Sequence, residues 1–253
     1  MIKFIGSALL ACALALGGCG ADGLPPAPNL SKDGAAGAAF PSVSADQPEN
    51  MPSPFGDPQT SSAVREVIAN PTAADIFAPS PIPEMSWGRP GAPVTIVQYA
   101  SLTCPHCRRF HAEVYPQLKR QFIDTGKVRY ILREFPIGKT SGLATIALRC
   151  APPEKYMDLY GRFLDQQAAW VSQDVRPDAV FAIAQQVGMT RAQFDSCREN
   201  QGMIENLKWV KERGRKLGII GTPNFFVGNK LIKSVLTIDE IKAFVEQPQA
   251  AGN

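Results

Sequence analysis

The first strong structural signal in the chain is the apolar, β-branched run "APVTIVQYAS" at residues 92–101. Such a run is typical of a buried strand. The segment after it places apolar or aromatic residues on one helical face: Phe110, Val114, Leu118 and Phe122. Pro116 is expected to kink this helix, because proline cannot donate a backbone hydrogen bond. "KVRYILREFP" at residues 127–136 then predicts a second strand.

Helical periodicity dominates the next part of the chain. Helices are predicted at residues 140–150, 154–168, 177–187, 191–199 and 203–217. Strand character returns at residues 224–232, where Gly228-Asn229 suits a hairpin turn. A last helix follows Thr237, which forms a capping box with Glu240. This order predicts an α/β unit with an inserted all-helical domain at about residues 138–217.

The N-terminus is typical of an export signal. Lys3 precedes an uncharged apolar run at residues 4–16, which is too short to span a bilayer but suits a secretory signal peptide, assigned here to residues 1–18. The sequence "LGGC" resembles the lipobox of bacterial lipoproteins, a resemblance that implies lipidation of Cys19. The alternative is an ordinary cleaved signal in which Cys19 carries no lipid. Either route exports the chain to an oxidising compartment.

A change of composition divides the exported part of the chain. Residues 19–80 are rich in Pro, Ala, Gly and Ser, which predicts a flexible tether with a possible short helix at 62–69. Residues 85–247 are long enough for one domain with a substantial core. The net charge of +3 comes from mixed signs without a basic stripe, so nucleic-acid binding has no support.

The cysteines suggest two pairs. Four of the six lie beyond the signal and the candidate lipid site, and four cysteines allow three pairings. Cys104 and Cys107 are close enough to pair locally. That leaves Cys150 with Cys197 as a structural disulfide within the helical insertion. Two buried free thiols are the alternative for this second pair.

Cys104-Pro105-His106-Cys107 lies where the first strand gives way to a helix. The thiolate is the nucleophile in disulfide exchange, and a helix N-terminus favours negative charge. Cys104 is therefore expected to attack and Cys107 to resolve the mixed disulfide, with His106 stabilising the Cys104 thiolate. The alternatives are a static disulfide, or a zinc or copper site that would include His111. Otherwise His111 is interpreted as a helix-surface histidine without a role.

"CPHC" together with the distant "GTPNFF" resembles DsbA-type thiol:disulfide oxidoreductases of the thioredoxin superfamily, over about residues 86–247. The resemblance implies a thioredoxin-like fold with the helical insertion. It makes Cys104 the nucleophile and Cys107 its partner, with Pro105 and His106 tuning them. It also implies a cis-proline loop at Thr222 and Pro223, where residue 222 pairs with an extended substrate segment.

The same resemblance implies partners and a location. Substrates would be reduced or unfolded exported proteins, and a DsbB-like membrane quinone reductase would reoxidise the dithiol. No organic cofactor is implied, because the dithiol itself carries the electrons. The expected location is the periplasm, tethered through the lipid anchor, with a soluble periplasmic protein as the alternative. The other functions considered are a disulfide isomerase or reductase that oligomerises through residues 62–69, and a periplasmic copper- or zinc-binding protein.

Two positions depart from the family pattern. Gln98 stands six residues before Cys104, where DsbA-like proteins often carry a buried glutamate. A glutamine cannot accept a proton from Cys107, and Glu134 on the neighbouring strand is a speculative substitute. Thr222 is the second departure, because threonine before the cis-proline resembles disulfide isomerases more than the DsbA oxidases.

Overall fold

The structure is a computed structural model that describes residues 67–247. The predicted signal peptide, Cys19 and nearly all of the predicted tether lie outside the described residues. The predicted helix at 62–69 lies outside them up to residue 66. Its last three residues, 67–69, are not helical, and the Ile68 N–H donates to the Lys216 carbonyl at 2.8 Å. For this described end the helix prediction was wrong.

A five-stranded mixed sheet forms the centre of the described region, in the order β1-β3-β2-β4-β5. The strands are β1 (Met85–Trp87), β2 (Val94–Ala100), β3 (Val128–Glu134), β4 (Asn224–Val227) and β5 (Lys230–Ile232). β2 and β3 pair in parallel, and the other neighbours are antiparallel. β2 and β3 are buried on both faces, which explains the mostly apolar sequence of β2, whereas β3 also buries the charged residues Arg133 and Glu134.

The helix that follows β2 is not regular. α2 (Pro105–Arg109) continues into a π-helical turn at Phe110–Val114, then α3 (Tyr115–Leu118) and a second π-helical stretch at Lys119–Ile123. The Tyr115 N–H donates to the Phe110 carbonyl, five residues back. Each wide turn adds a residue to the helix and rotates the residues after it about the helix axis. Tyr115 is therefore buried where the regular spacing predicted Val114, which is half-buried.

The all-helical insertion is confirmed. It comprises α4 (Gly138–Cys150), α5 (Tyr156–Asp165), α6 (Gln167–Trp170), α7 (Pro177–Ala184), α8 (Arg191–Arg198) and α9 (Gln201–Lys216). α4 packs on α5, α7 and α8, and α5 packs on α2. Cys150 at the end of α4 and Cys197 in α8 form a disulfide with their Cα atoms 6.3 Å apart.

The C-terminal part returns to the sheet. β4 and β5 form a hairpin around Gly228, whose φ of 60° suits a tight turn. α10 (Ile238–Glu246) begins at Thr237, whose side chain caps the helix and which forms a reciprocal capping box with Glu240. None of the helices between Val67 and Gln247 combines the length and apolar character needed to cross a bilayer.

The sequence pattern does not predict two short elements. α1 (Ala73–Ile76) and β1 precede the first predicted strand. α1 is held by a capping box between Thr72 and Asp75. β1 has only three residues and is defined by its antiparallel pairing with β3. β1 is the edge strand beside β3, and the buried Ile76 of α1 packs with Val97 and Ile131 on one face of the sheet.

Candidate active site

The dithiol lies at the carboxyl end of β2. Cys104 has extended backbone angles (φ −81°, ψ 121°) and is the N-cap of α2, with Pro105 at the first helical position. Proline is well suited to that position because its missing N–H has no intrahelical partner there. Cys107 follows within the first turn and is fully buried, whereas Cys104 is partly exposed. Both cysteines are free thiols in this structure.

The second predicted motif, "GTPNFF", follows the insertion in the sequence and lies next to the dithiol in the structure. β4 pairs antiparallel with β2, and the register sets Tyr99 opposite Asn224. The residues just before β4 are thereby brought to the end of β2. The Thr222–Pro223 peptide bond is cis, and Cys104 Sγ lies 3.0 Å from the Thr222 carbonyl oxygen. Only the thiol form of Cys104 can donate to that carbonyl.

The electrostatics of Cys104 favour its thiolate. A hydrogen bond from the Cys107 thiol is the largest influence and, with the Thr222 side chain and the N–H groups of Cys107 and His106, lowers the pKa of Cys104 from 9.0 to about 5, against the opposing effect of burial. The Thr222 hydroxyl is buried and has no other hydrogen-bond partner among the described residues, so it is available to the thiolate. At neutral pH the partly exposed sulfur is a nucleophile.

Cys107 has the opposite character. Burial raises its pKa well above 9.0, and the hydrogen bond it makes to Cys104 and the Cys104 charge raise it further. Cys107 is therefore a thiol at neutral pH. One exposed thiolate and one buried thiol in the same helical turn give the two sulfurs different roles in an exchange reaction.

The two histidines lie in different surroundings. His106 and Pro105 are exposed, and His106 contributes its backbone N–H to Cys104. His111 was expected at the helix surface, and that expectation was wrong. It is half-buried against α5, with its ring stacked on Tyr115 at 5.2 Å and meeting the Tyr160 ring edge-on at 5.3 Å. Within residues 67–247 no group of three or more His, Cys, Asp or Glu is arranged to hold a metal ion.

Gln167 is a contributor to the site that the sequence did not reveal. Its buried side-chain amide donates to the carbonyls of Leu102 at 2.7 Å and Cys104 at 3.1 Å. These bonds anchor the turn between β2 and α2 to the insertion. Ser101 and Ser141 add a buried hydroxyl contact at 2.8 Å. The partners are about 40 to 65 residues apart in sequence, so no local pattern could have identified them.

Gln98 and Glu134 have separate environments in the structure. Gln98 is fully buried and accepts a hydrogen bond from the Tyr130 hydroxyl, while its Nε2 has no partner among the described residues. Glu134 is also buried, but its carboxylate is engaged by the Arg149 guanidinium and by the Tyr156 hydroxyl at 2.6 Å. Glu134 is therefore held in a buried ion pair and is not free to accept the proton of Cys107.

Comparisons with known proteins agree with this arrangement. The family model described as "Thioredoxin" matches residues 81–247, about two thirds of the chain. A putative protein-disulfide oxidoreductase of Rickettsia conorii is 32% identical over 180 residues, covering 67% of this chain and 64% of that protein. The disulfide bond formation protein D of Bacillus subtilis is 26% identical, covering 63% of this chain and 74% of that protein.

The solved structure of Wolbachia pipientis alpha-DsbA1 superposes with a TM-score of 0.62 at 25% identity, covering 70% of this chain and 96% of that one. The chain spans slightly less than two thirds of the Rickettsia relatives that it matches. The family match, these relatives and the shared fold lead to one assignment. The chain belongs to the thioredoxin family, in its DsbA-like branch.

Proposed function

We propose that this protein is a periplasmic thiol:disulfide oxidoreductase that introduces disulfide bonds into reduced exported proteins. The observation that carries the proposal is the asymmetry of the dithiol. The pKa of Cys104 is lowered to about 5, and that of the buried Cys107 is raised. Stabilising the reduced thiolate makes the corresponding disulfide a stronger oxidant. The names of the Rickettsia and Bacillus relatives support the same activity.

The proposed reaction begins with the Cys104–Cys107 disulfide. A substrate thiolate attacks Cys104 Sγ, a substrate–Cys104 disulfide forms, and Cys107 leaves with the electron pair and takes up a proton. A second substrate thiolate then attacks the substrate sulfur and releases Cys104. The low pKa of Cys104 makes it a good leaving group at that step. The substrate loses two electrons, which the dithiol now holds.

Turnover requires an external oxidant. The proposed partner is a DsbB-like membrane quinone reductase, whose disulfide would accept the electrons from the reduced dithiol. Cys104 would attack that disulfide, and Cys107 would then displace the partner and restore the starting state. No organic cofactor is needed on this chain, because the two sulfurs carry the electron pair between substrate and partner.

Substrate is proposed to bind beside the cis-proline loop. The Thr222 carbonyl lies against Cys104, where it is placed to accept a backbone hydrogen bond from an extended peptide. Ile220, two residues earlier, is 77% exposed and offers an apolar contact to such a peptide. Pro105 and His106, which follow Cys104 in sequence, are exposed and are assigned the tuning of the dithiol.

The domain organisation is part of the proposal. Residues 1–18 would be the signal peptide, Cys19 the lipid-bearing residue, and 19–80 a tether that holds the domain at 85–247 near a membrane. The helical insertion is placed at about 138–217. If Cys19 carries no lipid, the same domain would be a soluble periplasmic protein.

The reduction potential of the Cys104–Cys107 pair tests the proposed direction. Equilibration of the mature protein in glutathione buffers is expected to give a reduction potential of about −120 mV, which is that of a strong oxidant. A Cys104→Ser variant supplies the baseline. A value of about −200 mV or lower would contradict the oxidase assignment.

Thr222 supports a second candidate, a disulfide isomerase or reductase of the same fold. Such an enzyme would keep the dithiol reduced, and threonine before the cis-proline resembles isomerases. This alternative predicts a stable oligomer of the mature chain that dissociates when the residues before Ser80 are removed. A mature chain that sediments as a monomer would count against it.

A further inference from the structure

Cys107 needs a path for a proton, a requirement that rests on the oxidoreductase activity proposed above. It is fully buried, and it changes between a disulfide sulfur, a thiolate and a thiol during turnover. Gln98 is an amide and cannot take the proton, and the Glu134 carboxylate is held by Arg149 and Tyr156. Another group among the described residues must therefore give Cys107 its proton and take it back.

Tyr160 presents an unexplained polar group in this region. It lies in α5, which packs on α2, the helix that contains Cys107. The residue is only 3% exposed, and its hydroxyl has no hydrogen-bond partner among residues 67–247. Buried hydroxyls are nearly always paired, and an unpaired one needs an explanation, one of which is a partner that forms during catalysis. A charged sulfur at Cys107 is such a partner.

The pKa of Tyr160 responds to the charge of Cys107. Burial raises its pKa well above 10.0, and the charge of Cys107 is the next largest influence, ahead of Tyr130, Tyr156 and Cys104. Tyr160 therefore remains a hydroxyl at neutral pH and can donate a hydrogen bond to a thiolate.

His111 contacts Tyr160 and is itself partly exposed to solvent. Its ring meets the Tyr160 ring edge-on at 5.3 Å, and it is half-buried. The backbone of α5 comes so close that a Cβ on Gly161 would lie 3.0 Å from His111 Nε2. Glycine is unfavourable inside a helix, so its presence here makes room for the imidazole. The π-helical turn at Phe110–Val114 contains His111, and such turns recur at functional sites.

We propose that Tyr160 and His111 form a proton relay that serves Cys107. As Cys107 leaves with the electron pair of the broken disulfide, the Tyr160 hydroxyl donates its hydrogen to the new thiolate. The hydroxyl is restored by a proton from the His111 imidazole, which takes one from solvent. One proton enters for one thiolate formed. When Cys107 is reoxidised, its proton leaves by the same route in reverse.

Several charged and titratable groups surround the relay. The charges that act on Tyr160 or His111 are those of Cys104, Cys107, Tyr130, Tyr156 and Asp165, and the Tyr115 ring stacks on His111. Burial lowers the pKa of His111, and the Asp165 charge opposes that effect. A neutral imidazole at physiological pH can accept a proton and pass it on.

The test uses the reduced full-length protein mixed rapidly with oxidised glutathione. In the first phase Cys104 attacks glutathione disulfide, and in the second Cys107 attacks the mixed disulfide and must lose its proton. Acid quenching and mass spectrometry separate the two phases from pH 5 to 9. Tyr160→Phe is expected to slow the second phase about tenfold or more near neutral pH and leave the first unchanged. His111→Asn is expected to weaken the pH dependence of the second phase.

Tyr115→Phe is the matched control. After burial, the main influence on the pKa of Tyr115 is the Asp124 charge, which places its hydroxyl in a different environment. This variant should keep the wild-type second phase. An unchanged second phase in Tyr160→Phe, or equal slowing by both variants, would overturn the relay.

Wild-type protein gives a second, independent test that does not depend on how the variants fold. A relay predicts that deuterated solvent slows the second phase more than the first, and equal sensitivity of the two phases would overturn it. The two proposals fail separately. Absence of both phases in the wild type contradicts the oxidoreductase activity, whereas a normal first phase with an insensitive second phase contradicts the relay alone.

Discussion

Acidification of the reduced protein tests the Cys104 thiolate most directly. The folded pKa is about 5, whereas the unfolded thiol titrates near 9.0. Between these values the unfolded chain binds more protons than the folded one. The free energy of unfolding of the reduced protein therefore rises with pH across this window, and this contribution is lost as the pH falls through about 5. The oxidised protein has no thiol at this position and lacks this dependence.

The size of the effect is set by the distance between the folded pKa and the working pH. A pKa of about 5 lies two pH units below neutrality, which corresponds to about 2.7 kcal/mol for the reduced form at pH 7. Cys104 is partly exposed, so solvent screening reduces this to roughly 1–2 kcal/mol. The same free energy makes the disulfide more oxidising by roughly 20–40 mV at pH 7. Cys107 adds no titration in this range, because its pKa is raised well above 9.0.

Urea unfolding of reduced and oxidised protein from pH 4 to 8 measures the difference between the two forms. The control is the Cys104→Ser variant under reducing conditions, which retains every other titrating group. The difference between wild type and this variant should shrink as the pH falls toward 5. If both proteins show the same pH dependence, the thiolate is not stabilised by the fold, and the argument for the dithiol asymmetry is refuted.

Two further predictions concern the support of the site. Replacing both Cys150 and Cys197 by alanine is expected to lower the free energy of unfolding by about 4 kcal/mol, and equal stability of parent and variant in urea would contradict this. Arg149→Met leaves the Glu134 carboxylate buried without its ion-pair partner and should cost about 3–5 kcal/mol. Adding Glu134→Leu to that variant should recover part of the loss, and a larger loss in the double variant would show that the pair itself stabilises the fold.

The strands and the helical block were predictable because their signals are local. The runs around β2 and β3 are rich in β-branched and aromatic residues and short, which is typical of buried strands, although β3 also contains Arg133 and Glu134. β1 was not predictable, since three residues carry no period and the strand exists through its pairing with β3. α1 was missed for a similar reason, because its one turn is held by a local cap.

The helix after the dithiol shows a second reason why sequence alone does not predict the structure. The apolar spacing predicts a regular helix, but two π-helical stretches change which residues face the core. This change buries Tyr115 instead of Val114 and turns His111 against α5. A histidine that was expected at the surface thus belongs to the interior face. No residue pattern encodes such a turn on its own, since Pro116 leaves several ways to accommodate its missing N–H.

The antiparallel pairing of β2 with β4 has a consequence for how this architecture can diversify. The register that sets Tyr99 opposite Asn224 fixes how far Cys104 stands from Thr222, although 118 residues separate them along the chain. The intervening helices contact the dithiol region through the hydrogen bonds of Gln167 and Ser141 and through the packing of α5 on α2. A helical block of different length can therefore be accommodated between the same two strands, provided that it keeps the side chains that serve the dithiol, such as Gln167 and the Tyr160 of the proposed relay. The length of the chain between β2 and β4 can change during evolution as long as the strand pairing still brings Thr222 to Cys104.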